Sequence, residues 1–259
     1  MRIPLYQVDA FAGHVFSGNP AAVCPLERWI DDATMQSIAA ENNLAETAFF
    51  VRNGDGYDIR WFTPVREVDL CGHATLASGF VVFEHIDRAA AAVTFGSMSG
   101  PLAVTRDGER LCLDFPALPP AACPRPPAIE AALGRAPREV LKGGDLLAVF
   151  DREEEVRSLA PRMDLVAALD TLGLIVTAPG GASDFVSRFF APRAGIPEDP
   201  VTGRAHCTLI PYWSARLGRK KLRALQVSPR GGELWCEDRG ARVGICGHAV
   251  QYLAGTIEV

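Results

Sequence analysis

The feature that most constrains the fold of this chain is an internal repeat that joins a strand to a helix. An aromatic strand ending at proline, Arg60-Trp-Phe-Thr-Pro64, returns as Arg188-Phe-Phe-Ala-Pro192. Each copy is followed by a loop, a glycine and a helical pattern, which begins at Gly72 in the first copy and at Gly203 in the second. Chance similarity is one explanation, because aromatic strands that end at proline are common. The ordered match of strand, proline, glycine and helix favours a duplication, and therefore two related half-domains.

A proline-rich segment marks the connection between these halves. In residues 115–127, repeated prolines remove backbone donors and favour an extended conformation. The sequence therefore predicts an N-terminal half-domain over residues 1–117, a crossing over 118–127 and a C-terminal half-domain over 128–259. The C-terminal strand can also complete the first half. A length of 259 residues is sufficient for two modest halves of this kind.

Both halves alternate short strand-like runs with helical patterns, which predicts an α+β fold. The first helix is expected to bury Met35, Ile38 and Ala39 on one face. Before the crossing, strands are predicted at 5–11, 47–51, 57–62, 92–95 and 111–115, and helices at 32–42 and from 72 to about 84. After it, strands are predicted near 172–177 and 185–190, and helices near 165–169 and from 205 to about 217.

Charge and hydropathy exclude several classes of protein. The chain carries 26 Lys+Arg against 31 Asp+Glu, a formal net charge of −5, whereas binding to nucleic acid usually requires a basic excess. No segment approaches the roughly 20 consecutive apolar residues of a membrane span, and polar residues interrupt the apolar run at the N-terminus. We therefore expect a cytoplasmic protein that binds neither nucleic acid nor membrane.

The cysteines predict neither a zinc site nor a disulfide framework. Their number is odd and none are spaced as a CxxC pair. We therefore expect reduced thiols. The seven are Cys24, Cys71, Cys112, Cys123, Cys207, Cys236 and Cys246.

The two helices that begin at the repeated glycines can each bind an anion. The start of a helix offers unpaired N–H groups and the positive end of its dipole, and a glycine lets a ligand approach the backbone. Thr202 adds a hydroxyl beside Gly203. A purely conformational role for Gly72 and Gly203 in the two turns is the alternative. If the halves face each other, these helix ends converge on one substrate.

Three side chains near these helices are candidates for acid–base chemistry. His73 lies in the first turn of its helix, where the positive dipole end favours the neutral imidazole. Asp199 precedes the second helix, between prolines that stiffen the loop. Glu46 stands at the start of an apolar run, as a general base requires, although an exposed carboxylate at a strand end is the alternative.

Several ordered motifs together make the chain resemble the phenazine biosynthesis PhzF-like family, whose fold is that of diaminopimelate epimerase. The resemblance extends over nearly the whole chain. The motifs are Asp9-Ala-Phe with Phe16-Ser-Gly-Asn-Pro-Ala-Ala-Val23, Asn43-Leu-Ala-Glu-Thr-Ala-Phe49, Cys71-Gly-His-Ala-Thr-Leu-Ala77, Gly195-Ile-Pro-Glu-Asp-Pro-Val-Thr-Gly203 and Gln226-Val-Ser-Pro-Arg-Gly-Gly232.

The resemblance implies two pseudo-symmetric domains, each a curved, barrel-like mixed sheet around a central helix, with the active site between them. It also implies a homodimer and catalysis without metal, flavin or pyridoxal phosphate. By motif position, Glu46 matches the family's catalytic acid/base, and His73 and Asp199 match residues that hold the substrate and assist proton transfer. Asn19 and the helix starts would complete a pocket for a small carboxylated substrate, on which an isomerase moves a proton.

Two departures from the family pattern bear on this expectation. Ala45 and Arg204 stand where small hydroxyl side chains are familiar in the family. Arg204 either points inward, adding a bidentate partner for a second carboxylate or a phosphate, or points outward as a surface charge. A non-catalytic binding protein with the same fold is therefore one alternative function. Cys71 suggests another, an epimerase or dehydratase that depends on a cysteine, as diaminopimelate epimerase does with two.

Overall fold

The computed structural model describes residues 1–259 and divides the chain into two compact units. The first unit consists of residues 1–114 together with 246–259, and the second consists of residues 115–245. The chain therefore leaves the first unit once and returns to it for its last strand. The proline-rich segment 118–127 lies in the second unit.

The first unit consists mainly of strands, with two helices. Its helices are α1 (Asp32–Asn42) and α2 (Gly72–Val81), and α2 continues into a π-helical turn at Val82–Ile86. Its strands are β1 (Arg2–Ala10), β2 (Asn19–Leu26), β3 (Glu46–Asn53), β4 (Gly56–Phe62), β5 (Glu67–Val68), β6 (Ala92–Ser97), β7 (Gly100–Asp107), β8 (Arg110–Pro116) and the last strand of the chain, β18 (Ala249–Glu258).

These strands form a mixed sheet. Strand β1 lies antiparallel between β18 and β2, and β2 runs parallel to β3. Strand β3 is antiparallel to β4, which is antiparallel to the short β5 and parallel to β6. The order continues antiparallel through β7 to β8. The sheet positions the beginnings of β2 and β3 side by side, where two of the predicted site residues lie.

The two helices of the first unit are buried in different ways. Helix α1 is capped by the Asp31 carboxylate and buries Met35, Ile38 and Ala39, so the predicted face is confirmed. Helix α2 is buried on all sides except at a few positions, and it contacts β1, β2, β3 and β7. A Cβ added at Gly79 would lie 2.7 Å from Val104, so this close approach requires glycine. Helix α2 is therefore the central helix of the unit.

The second unit repeats this plan with additional short helices. Its helices are α3 (Ile129–Leu133), α4 (Glu153–Arg157), α5 (Met163–Ala167) and α6 (Gly203–Leu217), and Pro192–Ala194 forms a 3₁₀ turn. Its strands are β9 (Ala121–Ala122), β10 (Glu139–Lys142), β11 (Leu146–Val149), β12 (Leu174–Pro179), β13 (Phe185–Ala191), β14 (Ile196–Asp199), β15 (Lys221–Gln226), β16 (Gly232–Asp238) and β17 (Arg242–Gly247).

The pairing of strands in the second unit follows that of the first. Strand β11 is parallel to β12, β12 is antiparallel to β13, and β13 is antiparallel to β14 and parallel to β15. Helix α6 is the counterpart of α2, and its Trp213 stacks on Phe185. The predicted α+β fold of two pseudo-symmetric domains is therefore confirmed, and each has a mixed sheet and a central helix.

The arginine of the repeated motif has the same function in both units. Arg60 on β4 forms two hydrogen bonds of 2.7 Å to the Glu67 carboxylate on β5. Arg188 on β13 binds Glu198 on β14 in the same bidentate way, at 2.7 and 2.9 Å. Each pair fixes the short strand that precedes a central helix. The repeat in the sequence therefore preserves the connection that leads to each candidate anion site.

Two expectations need correction or completion. Cys112 and Cys246 form a disulfide within the first unit, so the expectation that all the cysteines are reduced was wrong. Their separation of 134 residues explains why no spacing pattern indicated the pair. Strand β2 was not predicted either, because Pro20 and Pro25 interrupt its apolar pattern. As expected, no helix is long and apolar enough to span a membrane.

Candidate functional site

Glu46 and His73 lie in contact in the first unit. Glu46 is the first residue of β3, and His73 is the second residue of α2. Glu46 Oε2 lies 3.1 Å from His73 Nε2, and the two side chains are 12% and 6% exposed. Both atoms are buried, yet neither makes a hydrogen bond in this arrangement. Buried polar atoms are rarely left unsatisfied, so this pair indicates a site for a polar ligand.

Asn19 and Cys71 contact the other side of the imidazole. Asn19 Nδ2 lies 3.2 Å from His73 Nδ1, and Cys71 Sγ lies 3.6 Å from the same atom. Asn19 begins β2, which is parallel to β3, and Cys71 is the residue just before α2. The structure therefore brings together four of the predicted site residues, Asn19, Glu46, Cys71 and His73, around one imidazole ring.

The surroundings shift the pKa values of His73 and Cys71. Burial lowers the pKa of His73, but Cys71 and the Glu46 carboxylate outweigh it and raise this pKa well above its ordinary value. This direction is opposite to the one expected from the helix dipole alone. Burial and the Glu46 charge raise the pKa of the Cys71 thiol to about 11, so the thiol is protonated at neutral pH. A thiolate base at Cys71 is correspondingly disfavoured.

The same three side chains are the best candidates for metal binding in the first unit. Ligand atoms of Glu46, Cys71 and His73 lie within 4.8 Å of one another. However, the carboxylate lies against Nε2 of the imidazole and the thiol lies near Nδ1. One ion cannot use both ring nitrogens of a single histidine, so this arrangement suits a series of hydrogen-bonding and ionic contacts better than a coordination shell.

The second unit contains the other predicted residues. Asp199 ends β14, and Thr202 is the residue just before α6. The Thr202 hydroxyl donates to the Asp199 carboxylate. Gly203 is the first residue of the helix and is buried. Asp199, Thr202 and Gly203 therefore form one continuous turn at the start of α6.

The two central helices share one chemical feature at their starts, the absence of a side-chain cap. Neither Cys71 nor Thr202 makes a side-chain capping hydrogen bond to its own helix, whereas Asp31 caps α1. Without such a cap, first-turn N–H groups stay available to an external acceptor. Each central helix therefore begins with amides that can bind a carboxylate.

Arg204 is bound to its own unit. Its Nε donates to Asp145 Oδ2 at 2.8 Å and its Nη2 donates to the Gly144 carbonyl at 3.2 Å. The Asp145 carboxylate is 1% exposed and also accepts from the Gly173 amide. The Arg204 side chain is 47% exposed. Of the two predicted orientations, the structure shows an arginine that neutralises a buried carboxylate while its outer edge remains open to solvent.

Three buried residues of the second unit were missed by the sequence analysis. Gln226 binds the turn before α6, Asp145 binds Arg204, and His206 Nδ1 donates to the Thr202 carbonyl at 2.8 Å. Gln226 belongs to one of the quoted motifs, which was the only available signal. Asp145 and Arg204 are far apart in the sequence, and His206 lies inside a helix, so no sequence pattern indicated these two contacts.

Comparison with known proteins shows the family of this chain. The family model described as phenazine biosynthesis-like protein matches residues 8–255. The chain belongs to this family. A phenazine biosynthesis PhzF family protein from Enterococcus faecalis is 52% identical, with a TM-score of 0.98 over 100% of both chains.

Two further proteins resemble this chain, one in sequence and one in fold. A Pseudomonas aeruginosa protein named an uncharacterized isomerase is 49% identical over 259 residues, which is 100% of both chains. A hydroxyproline epimerase from Agrobacterium vitis, with bound trans-4-hydroxy-L-proline, is 11% identical with a TM-score of 0.61. It covers 99% of this chain and 92% of its own. At that identity the likeness shows that the phenazine biosynthesis-like family shares its fold with this epimerase.

Proposed function

We propose that this protein is an isomerase that moves a proton on a small carboxylated metabolite, with Glu46 as the acid/base. The observation that carries the proposal is the buried contact between Glu46 Oε2 and His73 Nε2, since these two atoms contact each other and have no hydrogen bond to any other group. Such a pair can accept a proton from a reactive C–H group and can stabilise the charge that then develops. The family relatives that are named isomerases support the same class of reaction.

The chemistry needs only proton transfer. Glu46 removes a proton from a carbon next to a carboxylate or a conjugated system, and the electron pair of the C–H bond delocalises into that system. Glu46 then returns the proton, either to the same carbon or to another one. No electrons are gained or lost in the sequence, so the chain's own groups suffice.

His73 and the helix starts stabilise the charge that develops. Once Glu46, 3.1 Å from His73, has taken the proton and become neutral, the positive charge of a protonated His73 is available to the anion that forms on the substrate. The first-turn amides of α2 and those of α6 each offer a binding site for a carboxylate of a substrate, and Asn19 contacts the imidazole.

The test is incorporation of deuterium from heavy water into a panel of cyclic and acyclic amino and hydroxy acids. We expect wild type to label one class of acid and Glu46→Gln to lose about 10²- to 10⁴-fold of that rate, since this is the usual contribution of general acid–base catalysis. Glu41→Gln is the matched control, because Glu41 is exposed and lies outside the site. Full turnover by Glu46→Gln would disprove the proposal.

Labelling by neither protein, with acids that are shown to bind, would favour the non-catalytic binding protein. Inactivation by a thiol reagent that a bound acid prevents, together with an active Glu46→Gln variant, would instead favour chemistry at Cys71.

A further inference from the structure

We propose that Gln226 is the positioning residue of the half-site in the second unit, which sets the orientation of the Asp199 carboxylate and of the first amides of α6. Gln226 ends strand β15 and is 1% exposed. The inference rests on the proposed function only in that the positioned groups bind the substrate carboxylate. The hydrogen bonds of Gln226 to the turn before α6, which we call the clamp, are a separate property of the second unit.

The amide group of Gln226 is fully used by the turn before α6. Its Oε1 accepts from the Thr202 amide at 2.9 Å. Its Nε2 donates to the Asp199 carbonyl at 2.8 Å and to Thr202 Oγ1 at 3.1 Å. One side chain therefore holds both ends of the turn, and every polar atom that it offers is satisfied.

The contact with Thr202 Oγ1 extends to the carboxylate. Because this hydroxyl accepts from Gln226, its own proton points elsewhere, and it donates to Asp199 Oδ2. Gln226 thus fixes the Asp199 side chain through one intermediate hydroxyl. The same arrangement keeps the Thr202 hydroxyl from capping α6, so the first-turn amides remain free for a ligand.

The sheet holds Gln226 in place. In the strand register Gln226 lies between Ser187 of β13 and Gly232 of β16. The next residues continue the attachment, since the Val227 amide donates to the Ser187 carbonyl at 2.8 Å and Ser228 Oγ donates to the Pro200 carbonyl at 2.8 Å. The clamp is therefore anchored in rigid structure, which is what precise positioning of a binding group requires.

The first test measures the clamp without any substrate. Gln226→Met keeps the length of the side chain and removes all three hydrogen bonds. We expect hydrogen exchange of the Thr202 amide to accelerate at least about tenfold, because a buried hydrogen-bonded amide loses its acceptor. Gln36→Met is the matched control, since Gln36 also donates to a backbone carbonyl, that of Thr63, but in the first unit. An unchanged Thr202 amide in a folded Gln226→Met variant would overturn the inference.

The second test measures the function of the clamp with acetate as the probe. In NMR spectra of ¹⁵N-labelled protein we expect acetate to shift the Gly203 and Arg204 amide signals. The dissociation constant for acetate should be at least about tenfold larger in Gln226→Met than in wild type. With an acid that wild type labels, KM should rise by a similar factor while kcat changes less than about twofold, since the carboxylate is bound alike before and during proton transfer. Equal acetate affinity in both proteins would overturn the inference.

A conservative variant separates positioning from general destabilisation. Gln226→Glu keeps an acceptor for the Thr202 amide, but it can donate only when protonated. Its acetate affinity relative to wild type should therefore be closer to one at about pH 5 than at about pH 8. A deficit that is the same at both pH values would contradict the role assigned to the donated hydrogen bonds. If wild type labels no acid but Gln226→Met still weakens acetate binding, the isomerase proposal fails and the positioning role stands.

Discussion

The two units build the same strands around a central helix, yet they place different chemistry at the start of that helix. In the first unit an imidazole follows the glycine and contacts a carboxylate, Glu46. In the second unit Arg204 takes the place of that imidazole and binds the buried Asp145. One unit therefore carries a buried carboxylate–imidazole contact, and the other carries an ion pair beside a helix start that lacks a side-chain cap.

The strand registers show what the second unit lacks. Thr47 lies opposite Phe62 in the first unit, and Leu174 lies opposite Phe190 in the second. Because these two phenylalanines occupy the same position in the repeated motif, the residue before Leu174 corresponds to the carboxylate residue before Thr47. That residue is Gly173, where an added Cβ would lie 2.1 Å from the ring of Phe189. The fold accepts a duplicated framework, and only the first copy has room for a side chain at this position.

The largest expected effect distinguishes the two residues that follow the glycines. His73→Gln removes the cation next to Glu46 and should lower the labelling rate about a thousandfold, equivalent to about 4 kcal/mol. Arg204→Gln should lower it less than about tenfold, because Arg204 is already bound to Asp145. The measurement is the initial rate of deuterium incorporation for each variant. Equal losses in both would show that the units contribute equally to the chemistry.

A second prediction concerns how each unit is held together. The first unit is assembled from two segments of chain, and the disulfide Cys112–Cys246 joins them. Replacing both cysteines by serine should lower the free energy of unfolding by about 3 kcal/mol, since the disulfide closes a long loop. Cys123→Ser is the control, because Cys123 is a free cysteine in the second unit. Denaturant melts with and without reductant measure the effect, and identical midpoints would count against it.

The space at Gly173 gives a third, smaller effect. Gly173→Ala forces a methyl group against the Phe189 ring and should cost about 2 kcal/mol of stability, as overpacking usually does. Gly13→Ala is the control, because a Cβ there meets nothing within 4 Å. Thermal melts of the two variants give the comparison. A neutral Gly173→Ala would mean that the second unit could also hold a side chain at this position.

The smallest effect is a difference in sensitivity to acid. His206 and Thr75 occupy the same position in α6 and α2, and each donates to the carbonyl just before its helix. Burial lowers the pKa of His206 from 6.5 to about 4. The unfolded chain therefore binds the extra proton between these values, and stability falls as the pH decreases from about 6.5 towards 4.

This loss should amount to about 1.5 kcal/mol between pH 6.5 and about pH 5, measured by urea unfolding. His206→Thr copies the residue of the first unit and should remove this part of the pH dependence, although its stability at neutral pH can differ. The same slope in wild type and His206→Thr would show that His206 titrates normally.

The sequence was most informative where the chemistry is local. The predicted helix 32–42 and its buried face follow from the spacing of three apolar residues, and the starts of α2 and α6 follow from their glycines. The grouping of Glu46 with His73 came from the family resemblance and not from periodicity. Their contact depends on β3 lying next to the central helix, which no local pattern encodes.

Long-range contacts were beyond the reach of local patterns. Gln226 reads as an ordinary residue at a strand end, and only the parallel pairing of β15 with β13 brings it to the turn before α6. Asp145 similarly looks like a loop carboxylate until Arg204 and the Gly173 amide surround it. In each case the structural role of a polar residue depends on a partner that is distant in the sequence.

The return of the chain to its first unit also imposes an order on biosynthesis. Strand β1 leaves the ribosome before the other strands described and is antiparallel to β18, which leaves after them. The intervening segment 115–245 is complete before β18 emerges and can fold as a unit of its own. The unit that carries Glu46 and His73 is thus begun first and finished last. In a nascent chain, the segment that contains α6 is therefore complete before the sheet that supports Glu46 and His73 is closed by β18.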